Sequence, residues 1–371
     1  MSDDNEIKLA PTTQFRLGGP DWTRIELWAG TADVRAGAML DNPKLVGTLL
    51  QLRVATRRSA AIELLEAELG FSRERASNLL SELEGRGVIV AASAPNPYTS
   101  EAAARWIRWG WRDALDFHLA VRDLRFATGD AEGMAAQNND FADRIDAAEA
   151  GDDLPSPGPY KDYPDAPFVE LPRSRSQIDA ATVGAALYKR RTCRKFTNRV
   201  IELPRFAELM QHVFSANEWP LGRMGMHLRR TTPSGGGRHP VEAYAVIRHV
   251  EGIPPGLYHY SVRRHGLEQI KAGDFGDTLC HLGHRQSGLD NVSAALFYTA
   301  RWDRHIWKYR YARSYRMVMF DIAHLVQTTL VAATALDLRS FLTPALRDTE
   351  AAAFLGLDDL EESPIYVTSL G

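Results

Sequence analysis

Lys308 and Tyr309 stand side by side in "RWDRHIWKYRYARSYRMVMFDIAHL", Arg301 to Leu325, among Trp307, Tyr311 and several arginines. A lysine held in apolar and cationic surroundings has its pKa lowered and can act as a general base near neutral pH. The same pair at the exposed start of a helix would have no such role. A second group is "RRTCRKF", Arg190 to Phe196, where Arg190, Arg191, Arg194 and Lys195 crowd around Thr192. The chain has 44 Lys+Arg against 47 Asp+Glu, a net charge of -3, so this local excess of cations asks for an anion. Arginine forks grip phosphate with two bonds, and a hydroxyl adds an uncharged one, although basic runs are also common on plain solvated surface. The third group lies in "RRTTPSGGGRHPVEAYAV", Arg229 to Val246, where Gly235, Gly236 and Gly237 follow Ser234. Three glycines forfeit chain entropy but let backbone come close to a planar or phosphorylated ligand; a flexible turn before a strand is the simpler alternative. Neither the GxGxxG spacing nor the P-loop spacing is present, which argues against a dinucleotide fold or a Walker site.

An RRSxRxF-like run, then PSGGGxxP-x-E-x-Y, then GLYHY, then a KY pair ahead of RxYR and D-x-x-H, follow one another from about Leu187 onward. In that order they resemble the SagB-type dehydrogenases of the nitroreductase superfamily, over about half the chain. The resemblance implies an α+β, nitroreductase-like domain with a central mixed sheet flanked by helices, FMN as cofactor, and a homodimer, while the order of elements by itself leaves an antiparallel or a mixed sheet open. It also implies oxidation of thiazoline and oxazoline rings to thiazoles and oxazoles in a ribosomally made precursor peptide, beside a cyclodehydratase supplied by other chains. By the same resemblance Arg190, Thr192 and Arg194 bind the FMN phosphate, with Thr192 in place of the common serine. Ser234 and Gly235 to Gly237 match the loop that approaches the flavin. Pro344 and Ala345 fall where relatives bring backbone to the isoalloxazine, and Lys308 and Tyr309 match the pair implicated in azoline oxidation. Making an azole removes a Cα proton and a Cβ hydride, so the site needs a base on one face of the ring and a hydride acceptor on the other. Lys308 is the candidate base, with Tyr309 as its partner or the alternative acceptor. Ala323 stands where many relatives have glycine. Related flavin sites reduce nitro groups or quinones with NAD(P)H, or desaturate peptide side chains, so those are competing readings.

The elements that must position these residues can be read from pattern. A chain of 371 residues points to more than one unit, and its 44% hydrophobic and 25% charged residues are those of ordinary globular proteins. Cys193 and Cys280 are too few for a disulfide framework, "CHLGH" at Cys280 to His284 lacks a fourth metal ligand, and the polar start lacks a signal core. With no uninterrupted run near the ~18 apolar residues of a span, a cytoplasmic protein with no membrane partner is expected.

Residues 1–95 read as a small winged helix-turn-helix domain. Short strands lead into a helix from Pro43, a second helix places Ile62, Leu65 and Leu69 on one face before Gly70, and Ser72 caps a third carrying Ala76, Leu79, Leu80 and Leu83. Arg73, Arg75 and Arg86 alternate with Glu74, Glu82 and Glu84, so no nucleic-acid partner is expected, and a redox-sensing DNA reader is disfavoured. Residues 96–130 read as one long aromatic helix bearing Trp106, Trp109, Phe117 and Leu124. A Pro/Gly/Asp-rich linker over 131–175 is expected to be extended or loosely ordered. From 176 to 371 the pattern predicts an amphipathic helix with Phe206, Leu209, Met210, Val213 and Phe214, strands at "VEAYAVIRHV" and "GLYHYSV", two further helices and a closing strand at "PIYVTSL".

Overall fold

The computed structural model describes residues 5–18, 24–28, 37–40, 42–108, 112–121, 131–150, 157–220, 226–309 and 313–371. The chain divides into two units, Met1–Gly129 and Asp130–Gly371.

The first unit contains β1 (Glu6–Leu9), β2 (Gln14–Gly18), β3 (Arg24–Trp28), β4 (Gly37–Leu40), α1 (Pro43–Gln51), β5 (Thr56–Arg57), α2 (Arg58–Leu69), α3 (Arg73–Gly85), β6 (Ile89–Ala91), α4 (Glu101–Arg108) and α5 (Arg112–Val121). Its helix boundaries follow from capping chemistry. The Asn42 side chain accepts from the Lys44 amide ahead of Pro43, Gly70 stops α2 with φ 69°, and Ser72 Oγ accepts from the Arg75 amide at 3.3 Å. The predicted apolar stripes bury Ile62, Leu65, Ala76, Leu80 and Leu83 in one core with Leu45 and Leu49 of α1. Strand β1 lies between β5 and β6, and β2, β3 and β4 form a separate antiparallel sheet.

The single long helix expected after residue 100 is instead two. Ala103 of α4 shares a buried cluster with Leu115 and Leu119 of α5, and Tyr98 donates to Asp116 at 2.8 Å. In one straight helix Ala103 and Leu119 would be about 24 Å apart, so the chain turns back between them. Trp109 and Leu124 fall outside the described residues.

The second unit contains α6 (Ala131–Ala150), β7 (Phe168–Glu170), α7 (Ser176–Ala180), α8 (Val183–Lys189), α9 (Leu203–Phe214), β8 (Asn217–Pro220), β9 (Met226–Arg229), β10 (Val241–Ile247), β11 (Gly256–Ser261), β12 (Gly266–Ala272), α10 (Gly276–Leu282), β13 (Ala294–Arg301), α11 (Asp303–Ile306), α12 (Ser314–Ala335), β14 (Ser340–Thr343), α13 (Asp348–Leu355) and β15 (Glu362–Leu370). Residues 131–175 are therefore not an extended linker throughout. Phe141, Ala142 and Ile145 give α6 a short apolar face that is buried, and β7 joins the main sheet beside β12. The Pro- and Gly-rich composition that suggested a linker belongs to the stretch between them.

Seven strands form that sheet in the order β14-β15-β13-β10-β11-β12-β7, and among the described residues every strand pair is antiparallel. Of the antiparallel or mixed sheet that the element order allows, the antiparallel one is present, and the mixed sheet of the resemblance is corrected accordingly. Short connections make hairpins of β10, β11 and β12, which forces antiparallel pairing; parallel contact is confined to isolated bridges, one of them Thr192 to Ser340. Strands β10 and β13 are buried on both faces, which explains their continuous apolar runs. Ala243, Ala245, Leu296 and Tyr298 face α9 and α12, while Tyr244, Val246, Ala295 and Phe297 face α10 and α13. Helix α12 is long and apolar enough to cross a membrane by length and composition alone, but Val318, Ile322, Leu325, Val326 and Leu330 are buried in the sheet's core cluster. It is a core helix. Residues 176–371 thus have the α+β layering that the pattern predicts.

Candidate active site

The glycine stretch is a tight turn pinned from one side. Gly236 and Gly237 have φ of 60° and 66°, values that side chains other than glycine rarely adopt. Ser234 Oγ donates to Asp321 Oδ2 at 2.5 Å and accepts from the His239 amide at 2.8 Å, while the Gly235 amide donates to Asp321 Oδ1 at 3.2 Å. The Ser234 hydroxyl is therefore committed to shaping the turn. Burial pushes the Asp321 carboxyl up, against the hydrogen bonds from Ser234 and Gly235 that favour its charge.

Lys308 and Tyr309 converge on this turn. A Cβ built on Gly236 would overlap Tyr309 Oη and lie 2.9 Å from Lys308 Nζ; one on Gly235 would overlap the Met317 side chain and lie 3.4 Å from His305 Nε2. Absence of side chains at the turn is thus what makes room for the pair. Lys308 is only 7% exposed. Burial, then the neighbouring Arg238 guanidinium, lowers its pKa from 10.5 to about 8. Arg238 in turn lies over the Trp307 ring at 4.5 Å and donates to the Arg304 carbonyl at 3.0 Å, so it is fixed in place beside the lysine.

His305 completes the cluster. It is buried, its ring stands edge-on to Tyr309 at 5.5 Å, and neither ring nitrogen has a hydrogen-bond partner among the described residues. Burial, with Arg238 and Lys308 nearby, brings its pKa down to about 4, so it is neutral at physiological pH.

A buried charge network anchors the cluster to the sheet. Arg304 at the start of α11 pairs with Glu242 of β10 and donates to the His239 carbonyl at 2.9 Å. Glu242 also meets His259 at 3.3 Å, and His259 meets Glu268 at 2.7 Å. Burial alone would raise the Glu242 carboxyl, but the charges of Arg304 and His259 hold it well below the usual range. One chain of contacts therefore fixes both the exit of the glycine turn and the entry to the Lys308 segment.

The other sequence candidates form a second group. Thr192 bridges to Ser340, and the Cys193 amide donates to the Ser340 carbonyl at 2.8 Å, which places the basic run beside β14. Among the described residues no carboxylate pairs with Arg190, Arg191, Arg194 or Lys195. Pro344 and Ala345 directly follow β14 and are exposed; Gln286 donates to Thr343 Oγ1 at 3.1 Å and to the Ala345 carbonyl at 3.4 Å. No hydrogen bond, ion pair or ring contact among the described residues joins this group to the Lys308 cluster. The first group rests on the early turns of α12 through Met317 and Asp321, and the second on the strand that follows its end.

Sequence reasoning missed His305, Arg238 and Asp321 as members of the cluster. Asp321 had a signal, because it opens the D-x-x-H motif. His305 lies three residues before Lys308, one helical turn away, and that spacing was the available clue.

The architecture and the turn with its lysine and tyrosine define an α+β domain with a preformed site, and sequence comparison gives its class. Residues 187–371 match the nitroreductase family, and this part of the chain is a nitroreductase-family domain. The chain is 27% identical over 277 residues to the trifolitoxin operon protein TfxC of Rhizobium leguminosarum bv. trifolii, covering 72% of this chain and 73% of that protein. It is 36% identical over 145 residues to the trifolitoxin-processing protein TfxB of the same organism, 38% of each chain. These two relatives support the SagB-type assignment. A chain of the E. coli microcin synthetase McbBCD complex, solved with truncated pro-MccB17 bound, aligns with a TM-score of 0.41 and 22% identity, over 57% of this chain and 77% of that one.

Proposed function

We propose that this chain is an FMN-dependent dehydrogenase of the SagB type that oxidises thiazoline or oxazoline rings in a modified, ribosomally made peptide. The observation that carries this reading is the convergence of Lys308 Nζ and Tyr309 Oη on Gly236, a buried amine beside bare backbone. The trifolitoxin-processing relative supports a peptide as the substrate class.

The residues present fit FMN. Arg190 and Arg194 are cations without carboxylate partners among the described residues, and Thr192 keeps a hydroxyl beside them, a donor set suited to phosphate. At Gly235 and Gly236 side chains are excluded by Met317, Lys308 and Tyr309, so backbone is what a planar ring system would meet. Pro344 and Ala345 are exposed just after β14, the strand that Thr192 bridges. The chemistry FMN supplies when bound is acceptance of the Cβ hydride. Lys308 in its neutral form takes the Cα proton, Tyr309 orients that amine or shares the proton, and Asp321 holds the turn through Ser234.

Because no hydrogen bond, ion pair or ring contact among the described residues joins the phosphate-type group to the Lys308 cluster, a homodimer that brings one group to the other completes the reading. Val183, Leu187, Tyr188 and Phe320 are 70%, 53%, 81% and 58% exposed on α8 and α12, an apolar surface suited to a partner copy. In the first unit, the order of β1, α1, β5, α2, α3 and β6 suits a winged helix that docks a leader peptide on an open strand edge, with cyclodehydratase chains as further partners.

The test is mass spectrometry of an azoline peptide incubated with the FMN-loaded protein and with Lys308→Ala carrying equal flavin. Loss of two hydrogens per ring, absent in the variant, is the expected result. No mass change with several such peptides, together with brisk NADPH turnover on a quinone, would instead make the chain a flavin reductase.

A further inference from the structure

Helix α6 lies wholly outside the family-matched residues 187–371, yet it packs on the Lys308–Tyr309 pair. Phe141, Ala142 and Ile145 share a buried cluster with Trp307 and Tyr309, with Met317 against it. The Phe141 ring meets the Tyr309 ring edge-on, with centroids 5.5 Å apart and planes at 87°, and Lys308 Nζ lies 5.7 Å from the Phe141 centroid. We propose that α6 is a cap on this pair and that Phe141 is its positioning residue, fixing the Tyr309 ring and keeping water from one side of the Lys308 amine. The role assigned to the pair rests on the function proposed above; the capping itself does not.

The argument is one of what surrounds the amine. An ammonium normally keeps three hydrogen-bonded waters or acceptors, and Lys308 Nζ has no acceptor among the described residues. Its charged and titratable neighbours are Arg238, His305 and Tyr309, with Asp321 beyond them on the glycine turn. Among the described side chains of α6, Glu132, Asp140, Asp143, Arg144 and Asp146 are exposed, whereas the buried face carries Phe141, Ala142 and Ile145, so what that face brings to the amine is an aromatic ring. A ring at that distance attracts a cation weakly, whereas excluding water penalises it more. Burial is the leading cause of the lowered Lys308 pKa, so removing the ring and admitting water should favour the ammonium.

The experiment needs no substrate. The full chain is trace-acetylated with acetic anhydride across a pH series, and acetylation at Lys308 is read by peptide mass spectrometry. For the unmodified sequence the half-point is expected near pH 8, where the lowered lysine titrates. Phe141→Ala should move it up by on the order of one pH unit, Phe141→Leu by less, because leucine keeps much of the apolar bulk. Ile145→Ala, which thins the same buried face without removing the ring, should leave the half-point where it was. If Phe141→Ala fails to fold by circular dichroism, Phe141→Leu carries the test. Folded Phe141 variants with an unmoved half-point would overturn the proposal, as would an equal shift from Ile145→Ala. A protein that shows the Phe141 shift but leaves azoline peptides unchanged keeps the cap and loses the proposed reaction.

Discussion

Lys308 is useful as a base only when it is neutral, and its lowered pKa sets where that happens. The rate of the proposed oxidation should rise with pH through about 8 and then level, because the neutral amine predominates above that value. Lys308→Ala should lower kcat by roughly 10²–10⁴-fold with flavin content unchanged. Steady-state rates on flavin-matched protein check both. Asp321→Ala should behave differently: it frees Ser234 and the Gly235 amide, so the turn loosens, and a lowered flavin-to-protein ratio after gel filtration is the expected sign. Lys308, Tyr309 and the glycines were legible in the sequence because their identity and spacing are chemical. Phe141 was not, since an aromatic residue in a polar, alanine-rich helix far along the chain has no local mark of what it will touch.

Among the elements, the glycine turn and the β10–β11–β12 meander do the positioning. Gly236→Ala would place a methyl on Tyr309 Oη at φ 60°; a cost of about 1–3 kcal/mol in unfolding experiments and displacement of the tyrosine are expected. Glu242→Gln would leave buried Arg304 without its carboxylate, a loss of about 3–5 kcal/mol by urea unfolding. His259 adds a pH dependence. Burial would lower its pKa, but hydrogen bonds and charge from Glu242 and Glu268 outweigh that and raise it. The stabilisation is therefore complete below the unfolded value of about 6.5 and declines as pH rises through the raised folded value. Thermal midpoints across that range, flattened by Glu268→Gln, would show it. The strands here were legible as apolar runs. That they would carry a His–Glu–Arg chain through the sheet was not, because alternation marks the face of a residue and says nothing of its cross-strand partner.

At the level of the whole molecule, the two halves of the candidate site rest on different parts of one chain. If the proposed homodimer forms through α8, Leu187→Asp should shift it toward monomer in analytical ultracentrifugation and lower flavin retention together; loss of association with flavin content intact would separate the two surfaces. The sequence showed the order of the motifs but not their grouping in space. It also suggested one aromatic helix and one linker where the chain makes a helical hairpin and a packed helix. In both places composition was averaged over a stretch whose structure changes within it: Ala103 packs back on Leu115 and Leu119 in one, and the short apolar face of Phe141, Ala142 and Ile145 was hidden inside the other.

The seven-stranded order also imposes a sequence of events on synthesis. Strand β13 ends at Arg301, but the neighbour that covers its second edge, β15, begins only at Glu362. While the ribosome makes the intervening stretch, one of the most apolar strands in the protein waits with that edge open. The nascent chain is then most exposed to wrong pairing with another chain. Helix α12 is made in that interval and can cover one face of the strand, but the exposed hydrogen-bonding edge closes only when β15 arrives.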